Sequence, residues 1–224
     1  GTSPAQSIPL NWNIAPTNPI YIVRSPLKEQ SQSKKDLAIV SWGLIAPWLT
    51  DTAEAKTSQS RAINARSESV HEKPTFKDAF KQRRCLVPAQ GYYEWATALG
   101  RYKPKQAFYI SSRDGAQLSI AGIWSSWRGP NGEVIESASI ITQEAQGELA
   151  TIHSRMPVFM PHDRWDAWLD PENKEIENLR NLMVVQSPEA IVKAHPVSSH
   201  VNSVANNGAQ LTQAIELGEP ETLF

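Results

Sequence analysis

Short apolar stretches rich in β-branched and aromatic residues, cut at close intervals by Gly, Pro and Asn, constrain this chain more than any other feature. They are "IYIVR" (20–24), "LAIVSW" (37–42), "RCLVP" (84–88), "GYYEWAT" (91–97), "QAFYISS" (106–112), "LSIAGIW" (118–124) and "ESASIIT" (136–142). Each has strand length, and "RGPNGE" (128–133) between the last two has turn chemistry. "AIVKAHPVS" (190–198) adds another strand, and "SPLKEQSQSKKD" (25–36) reads as a hairpin loop or small insertion. Helical signals are confined to "TFKDAFKQR" (75–83), "PHDRWDAWL" (161–169) and "ENKEIENLRNLM" (172–183). Many strands with few helices predict an α+β fold, a single domain over 1–224. Its core is a barrel-like antiparallel β-sheet with peripheral helices.

A chain of 224 residues can bury a full core without disulfides or metal. The one cysteine, Cys85, excludes an intramolecular disulfide and any Cys-rich zinc site. Inside "RCLVP" it reads as a buried thiol, which fits a reducing compartment. No apolar run reaches transmembrane length, so the expectation is a soluble, cytoplasmic protein with no membrane partner. The five histidines show no H-E-x-x-H or i, i+4 pairing, and no P-loop, dinucleotide fingerprint or G-x-S-x-G elbow is present. No metal and no cofactor are expected.

Net charge is −1, but its distribution is uneven. Between 56 and 105 eleven Lys and Arg face four acids, whereas after His200 only Glu216, Glu219 and Glu221 carry charge. A basic middle and an acidic tail suit either a phosphate-binding face or a solvated helix at "FKDAFKQRR". Eight tryptophans are a heavy load. Trp124 belongs to an apolar run, and Trp165 and Trp168 share a helical face that packs inward. Trp42, Trp48 and Trp95 stand near the ends of strands. There they serve either as stacking platforms or as half-buried core edges.

Four polar islands interrupt the strands. In "INARSES" (63–69) Asn64, Arg66 and Glu68 alternate with Ile63, Ala65 and Ser67, so a strand would present amide, guanidinium and carboxylate on one face. Glu94 in "GYYEW" sits between large aromatics; it is either a desolvated general acid/base or an exposed edge residue. His153 and Arg155 precede the apolar run of "TIHSRMPVFM" (151–160), and a histidine there is either solvated or poised for proton transfer. The fourth island, "HPVSSHVNSVANNG" (195–208), holds His195, His200 and Asn202 ahead of an Asn-Gly turn. The residues alone support a compact α+β protein whose Glu, His, Asn and Arg side chains line one pocket.

Taken in order, "WNIAPT" (12–17), "SWGLIAPW" (41–48), "INARSES", "RCLVPAQGYYEW" (84–95), "SIITQEA" (139–145), "IHSRMPVFM" (152–160) and "HPVSSHVNSVANNG" resemble the SRAP family, the SOS-response-associated peptidases. The match runs from Trp12 to about Leu211. The resemblance implies a monomeric shield for abasic sites in single-stranded DNA, cytoplasmic and associated with the nucleoid when bound. Family members carry a cysteine directly after the initiator Met, and loss of that Met frees its α-amine. Amine and thiol both add to the aldehyde of the ring-opened abasic sugar and close a thiazolidine. The carried-over catalytic residues are Asn64, which hydrogen-bonds the thiol or amine, Glu94, the proton shuttle, and His153, which protonates the sugar ring oxygen or assists reversal of the adduct. Arg66 and Arg155 are the implied phosphate contacts, with Glu68 orienting Arg66 through an ion pair. Trp42, Pro47, Trp48 and Trp95 are the implied stacking surface, and Thr142 stands close to the site. Asn13, of the "N-x-A-P" motif, orders the loop that covers the N-terminus.

The family's Met-Cys-Gly-Arg start is absent, and the expectation is that Gly1 follows a missing N-terminal segment. Cys85, mid-chain and without an amine, cannot substitute for that cysteine. Three alternatives stand beside covalent capture. They are a non-covalent single-stranded DNA-binding module, a sugar hydrolase pairing Glu94 with Glu68, and a protease acting on other proteins.

Overall fold

The computed structural model describes residues 7–26, 35–97 and 102–217. The loop expected at 25–36 falls largely on 27–34, outside the described residues. The strands on either side of it, β1 (Pro19–Arg24) and β2 (Asp36–Trp42), pair antiparallel from Pro19↔Ser41 to Arg24↔Asp36, as a hairpin should. Five strands form a closed barrel. β1 also pairs with β4 (Arg84–Ala89), β4 with β7 (Leu118–Arg128), and β7 with β8 (Val134–Glu144). The expected antiparallel barrel is therefore present, but its closure is parallel: Ser41 and Trp42 of β2 meet Ser137 and Ala138 of β8.

Two short strands extend β8 beyond the barrel seam. β3 (Asn64–Arg66) runs parallel to it, with Arg66 opposite Thr142. β9 (Arg155–Pro157) runs antiparallel, with Arg155 opposite Glu144. A second sheet stacks β5 (Gly91–Trp95), β6 (Ala107–Ser112) and β10 (Val192–Pro196). Gly91 is needed there, because a Cβ would stand 2.4 Å from the Tyr109 ring and 2.5 Å from the Ile110 carbonyl oxygen.

The strand expected over 63–69 is shorter than its alternation suggests. Ser67 N–H still donates to the Thr142 carbonyl at 2.8 Å, but Ser69 and Val70 N–H fold back onto the Arg66 carbonyl. Glu68 therefore lies on a turn, not in the strand.

Helices cap the barrel. α2 (Pro74–Gln82) and α3 (Trp165–Leu169) meet through Phe80 and Trp168, whose rings are edge-on at 6.0 Å. α4 (Ile176–Met183) closes the same cluster with Leu179 and Met183. The charge of Arg84 is internal: buried, it donates to the carbonyls of Phe80, Lys81, Trp168 and Asp170 at the ends of α2 and α3. Arg24 is buried as well, 4.3 Å over the Trp124 ring and paired with Asp36 and Glu136. Trp124 is a core residue of the barrel, and Trp168 is buried in a second cluster against which Trp165 packs, as the spacing of these two predicts.

One helix escapes the sequence reading: α1 (Thr52–Arg61). Only Ala55 and Gln59 are buried along it, so it carries no apolar stripe. Its remaining sequence signal is Asp51, whose carboxylate accepts the Glu54 N–H at 2.8 Å as an N-cap.

Candidate active site

β5 alternates, so Gly91, Tyr93 and Trp95 face one way while Tyr92 and Glu94 face the other, toward the barrel. Tyr92 packs against Phe159 with ring centroids 6.4 Å apart. Beside it, one Glu94 oxygen accepts the Trp95 N–H at 3.1 Å, and the other, Oε2, lies 3.8 Å from Nδ1 of His153. Burial pushes the Glu94 carboxyl above its usual 4.5, and the His153 charge only partly offsets this. The same enclosure, with the Glu94 charge adding to it, raises the Tyr92 hydroxyl beyond its ordinary value.

His153 is held by the chain that follows it. Nδ1 accepts the Arg155 N–H at 3.0 Å, whereas the Arg155 carbonyl lies farther away at 3.3 Å. The shorter contact requires a lone pair on Nδ1, which places the hydrogen of the neutral ring on Nε2. At 3.8 Å the carboxyl and imidazole are too far apart for a direct hydrogen bond.

Arg155 carries the cluster toward β3. Its two terminal nitrogens grip Glu68 at 2.8 and 2.9 Å, and one of them also donates to the Thr142 carbonyl at 2.7 Å. The ion pair expected between Glu68 and Arg66 is therefore made with Arg155. The reason is the turn, which lifts Glu68 out of the β3 row and across β8. The Arg155 fork holds the Glu68 carboxyl below its usual value, with Arg66 adding a smaller field. Asn64 and Arg66 are exposed on either side of buried Ala65, so the one-face row expected of them is present for these two residues. Among the described residues the Arg66 guanidinium makes no hydrogen bond or salt bridge.

The tryptophans divide. Trp42 packs on the core, and its indole N–H donates to the Ile63 carbonyl at 3.0 Å, directly ahead of Asn64. Trp95 is 37% exposed and anchored at its edge by the Asn202 side-chain oxygen Oδ1, 2.7 Å from Nε1. Trp48 is 49% exposed and, with exposed Pro47, stands on the loop before α1, where no hydrogen bond ties either side chain to the Glu94–His153 pair. Glu94, His153, Arg155, Thr142 and Glu68 are thus joined by direct contacts. Asn64, Arg66 and Trp42 are joined to them through the strands, and among the described residues no hydrogen bond or ion pair links Pro47 or Trp48 to them.

Asn13 is buried and its amide lies 3.0–3.3 Å from the carbonyls of Val201, Ser203 and Asn206. It ties down the 201–206 loop. Asn202, given no role in the sequence reading, stands on that loop and orients Trp95; its signal was its place in "HPVSSHVN". His195 is structural, with Nε2 2.8 Å from the Thr212 carbonyl. Among the described residues no group of three His, Cys, Asp or Glu is placed to hold a metal ion, and no helix is long and apolar enough to cross a membrane.

A profile of the SOS response associated peptidase (SRAP) family matches residues 2–204. The chain belongs to the SRAP family. It is 33% identical over 204 residues to the abasic site processing protein YoaM of Bacillus subtilis (strain 168), covering 91% of this chain and 85% of the relative. The abasic site processing protein HMCES of Gallus gallus is 29% identical over 224 residues, covering 92% and 66%. A solved structure of a protein from Bacteroides thetaiotaomicron superposes with a TM-score of 0.73 at 25% identity, covering 87% and 80%. In this SRAP chain the basic middle is largely on the surface: Lys56, Arg61, Arg66, Lys73, Lys77 and Lys81 are exposed on β3, α1, α2 and their flanks. Arg84 is buried as described above, Arg83 beside it is half-buried, and Arg101 lies outside the described residues.

Proposed function

We propose that this protein captures abasic sites in single-stranded DNA covalently, through the α-amine and thiol of an N-terminal cysteine exposed when the chain removes its own initiator Met. The observation that carries the reading is the half-buried Glu94–His153 pair, 3.8 Å apart, with burial raising the Glu94 carboxyl, a shift that suits it to act as a general acid. The names of the curated relatives point to the same substrate.

The chemistry closes on these groups. Protonation of the sugar ring oxygen, assigned to His153, with the anomeric hydroxyl proton returning to the same group, breaks the ring C–O bond and opens the abasic sugar to its aldehyde. The amine adds to that aldehyde, and Glu94 donates its proton as the hydroxyl leaves as water, giving an iminium. The thiol then gives its proton back to the Glu94 carboxylate as sulfur bonds to the same carbon, closing the thiazolidine with net loss of one water. Asn64 orients the thiol or amine, Arg66 and Arg155 hold the flanking phosphates, and Thr142 keeps Arg155 in place. Trp42, Pro47, Trp48 and Trp95 form the surface over which neighbouring bases stack. In this reading the protein works as a cytoplasmic monomer that joins the nucleoid when bound.

The test mixes the protein carrying its natural N-terminus with an oligonucleotide containing one abasic site, and records intact mass under denaturing conditions. A 1:1 adduct mapping to an N-terminal Cys is expected. Binding without any adduct would leave a non-covalent single-stranded DNA module instead.

A further inference from the structure

Arg155 cannot offer a phosphate a two-pronged grip while Glu68 holds it. A guanidinium has five N–H bonds. One on each terminal nitrogen goes to Glu68, and a second on one of them goes to the Thr142 carbonyl. The Nε–H is buried and meets no acceptor, which leaves a single outward N–H. Carboxylate and phosphate share the same fork geometry, so the Glu68 carboxylate fills the seat that a strand phosphate would take.

The two partners differ in freedom. The Arg155 side chain is 23% exposed, tied to Thr142 and continuous with the backbone that holds His153. The Glu68 side chain is 53% exposed and stands on a turn. The guanidinium is the fixed half and the carboxylate the movable half.

We propose that Glu68 is an internal stand-in for a DNA phosphate: it keeps Arg155 positioned in the free protein and is exchanged for a strand phosphate on binding. This rests on the reading that single-stranded DNA crosses this face. The exchange has a consequence that simple positioning lacks. Because Glu68 already neutralises Arg155, forming that contact releases no counterion from the strand net of the cation that the freed carboxylate takes up. Each phosphate neutralised by an unpaired cation, by contrast, steepens the dependence of log K on log salt by about 0.7 for single strands.

The experiment measures binding of a labelled oligothymidylate by fluorescence anisotropy from about 50 to 200 mM NaCl, with wild type, Glu68→Gln and Glu68→Ala. Both variants are expected to bind roughly two- to fivefold tighter at the low-salt end, the worth of one exposed ion pair. Their salt slopes are expected to be steeper by about 0.7. Weaker binding with an unchanged or shallower slope in both variants would overturn the exchange and make Glu68 a fixed clasp that stays on Arg155 in the complex. If the wild type binds no strand even at low salt, the DNA reading itself fails, and this proposal with it; strand binding without the slope change removes the exchange alone.

Discussion

Glu94 Oε2 faces His153 Nδ1 across 3.8 Å, and that nitrogen already accepts the Arg155 N–H. Burial raises the carboxyl, which suits Glu94 to proton transfer, while the Arg155 N–H fixes the ring beside it. Removing either group should stop proton delivery without disturbing the phosphate contacts. Glu94→Gln and His153→Ala should each slow adduct formation by about 10²–10⁴-fold, the usual worth of a positioned acid or base. Binding of an unmodified strand should stay within about twofold of wild type, a factor worth only about 0.4 kcal/mol. Single-turnover adduct kinetics beside anisotropy separates the two quantities.

The raised Glu94 carboxyl also has a stability cost with a definite sign. Below pH 4.5 the group is protonated in both folded and unfolded chains and costs nothing. As pH rises, the unfolded chain ionises first, so stability falls until the pH passes the folded value. Glu94→Gln should therefore match wild type at acid pH and exceed it near neutrality. In thermal melts the gain should be roughly 2–4 °C for each 1 kcal/mol of relieved burial. A Tm difference that is independent of pH would show that Glu94 is not desolvated as its surroundings indicate.

Trp95 separates a stacking residue from a core edge. Its indole is 37% exposed and is fixed at one edge by Asn202. Trp95→Ala should weaken single-stranded DNA binding by about 1–3 kcal/mol if one base stacks on it, with little change in Tm. Asn202→Ala should give a smaller loss in the same direction, because the ring stays but is no longer oriented. Equal binding by all three proteins would return Trp95 to the surface, without a role in recognition.

The strands were legible because their signals are local: a β-branched pair followed by Gly or Pro needs no knowledge of its partner. Asn64 and Arg66 were legible for the same reason, since alternation around Ala65 fixes their face. Glu68 was misread because its partner lies 87 positions away, and only the turn onto the Arg66 carbonyl decides which arginine it meets. The parallel seam between β2 and β8 is hidden likewise: two residue pairs about a hundred positions apart close the barrel, and nothing near Ser41 announces Ser137. α1 was missed for the opposite reason. Its helicity comes from capping and packing of Ala55 and Gln59, not from an apolar period.

Asn13 offers a test of how the loop that carries Asn202 is held. One amide serves three carbonyls on residues 201–206. Asn13→Ala takes this donor from the Val201 and Asn206 carbonyls, while the Ser203 carbonyl keeps the Asn206 N–H, and it should cost about 1–3 kcal/mol in urea unfolding. Amide exchange should accelerate over 199–208 before it does so in the barrel. Asn13→Asp should be worse, because a carboxylate would face three carbonyl oxygens.

Arg84 separates scaffold from site among the cations of the basic middle. Buried beside the Trp168 ring at 5.8 Å, it supplies donors to four carbonyls at the ends of α2 and α3. Desolvation brings its guanidinium down to about 10, still far above neutral pH, so it stays charged in the folded protein. Lysine cannot replace it, since one ammonium has three donors and no planar fork. Both Arg84→Lys and Arg84→Met should therefore destabilise, by about 2–4 kcal/mol from unsatisfied carbonyls alone. At a temperature where the variants remain folded, the salt slope for single-stranded DNA should match that of wild type. Arg66→Gln should do the reverse, keeping the wild-type Tm and making the slope shallower by about 0.7. If Arg84 variants alter the slope while Arg66→Gln leaves it unchanged, the DNA-facing and scaffold cations have been assigned the wrong way round.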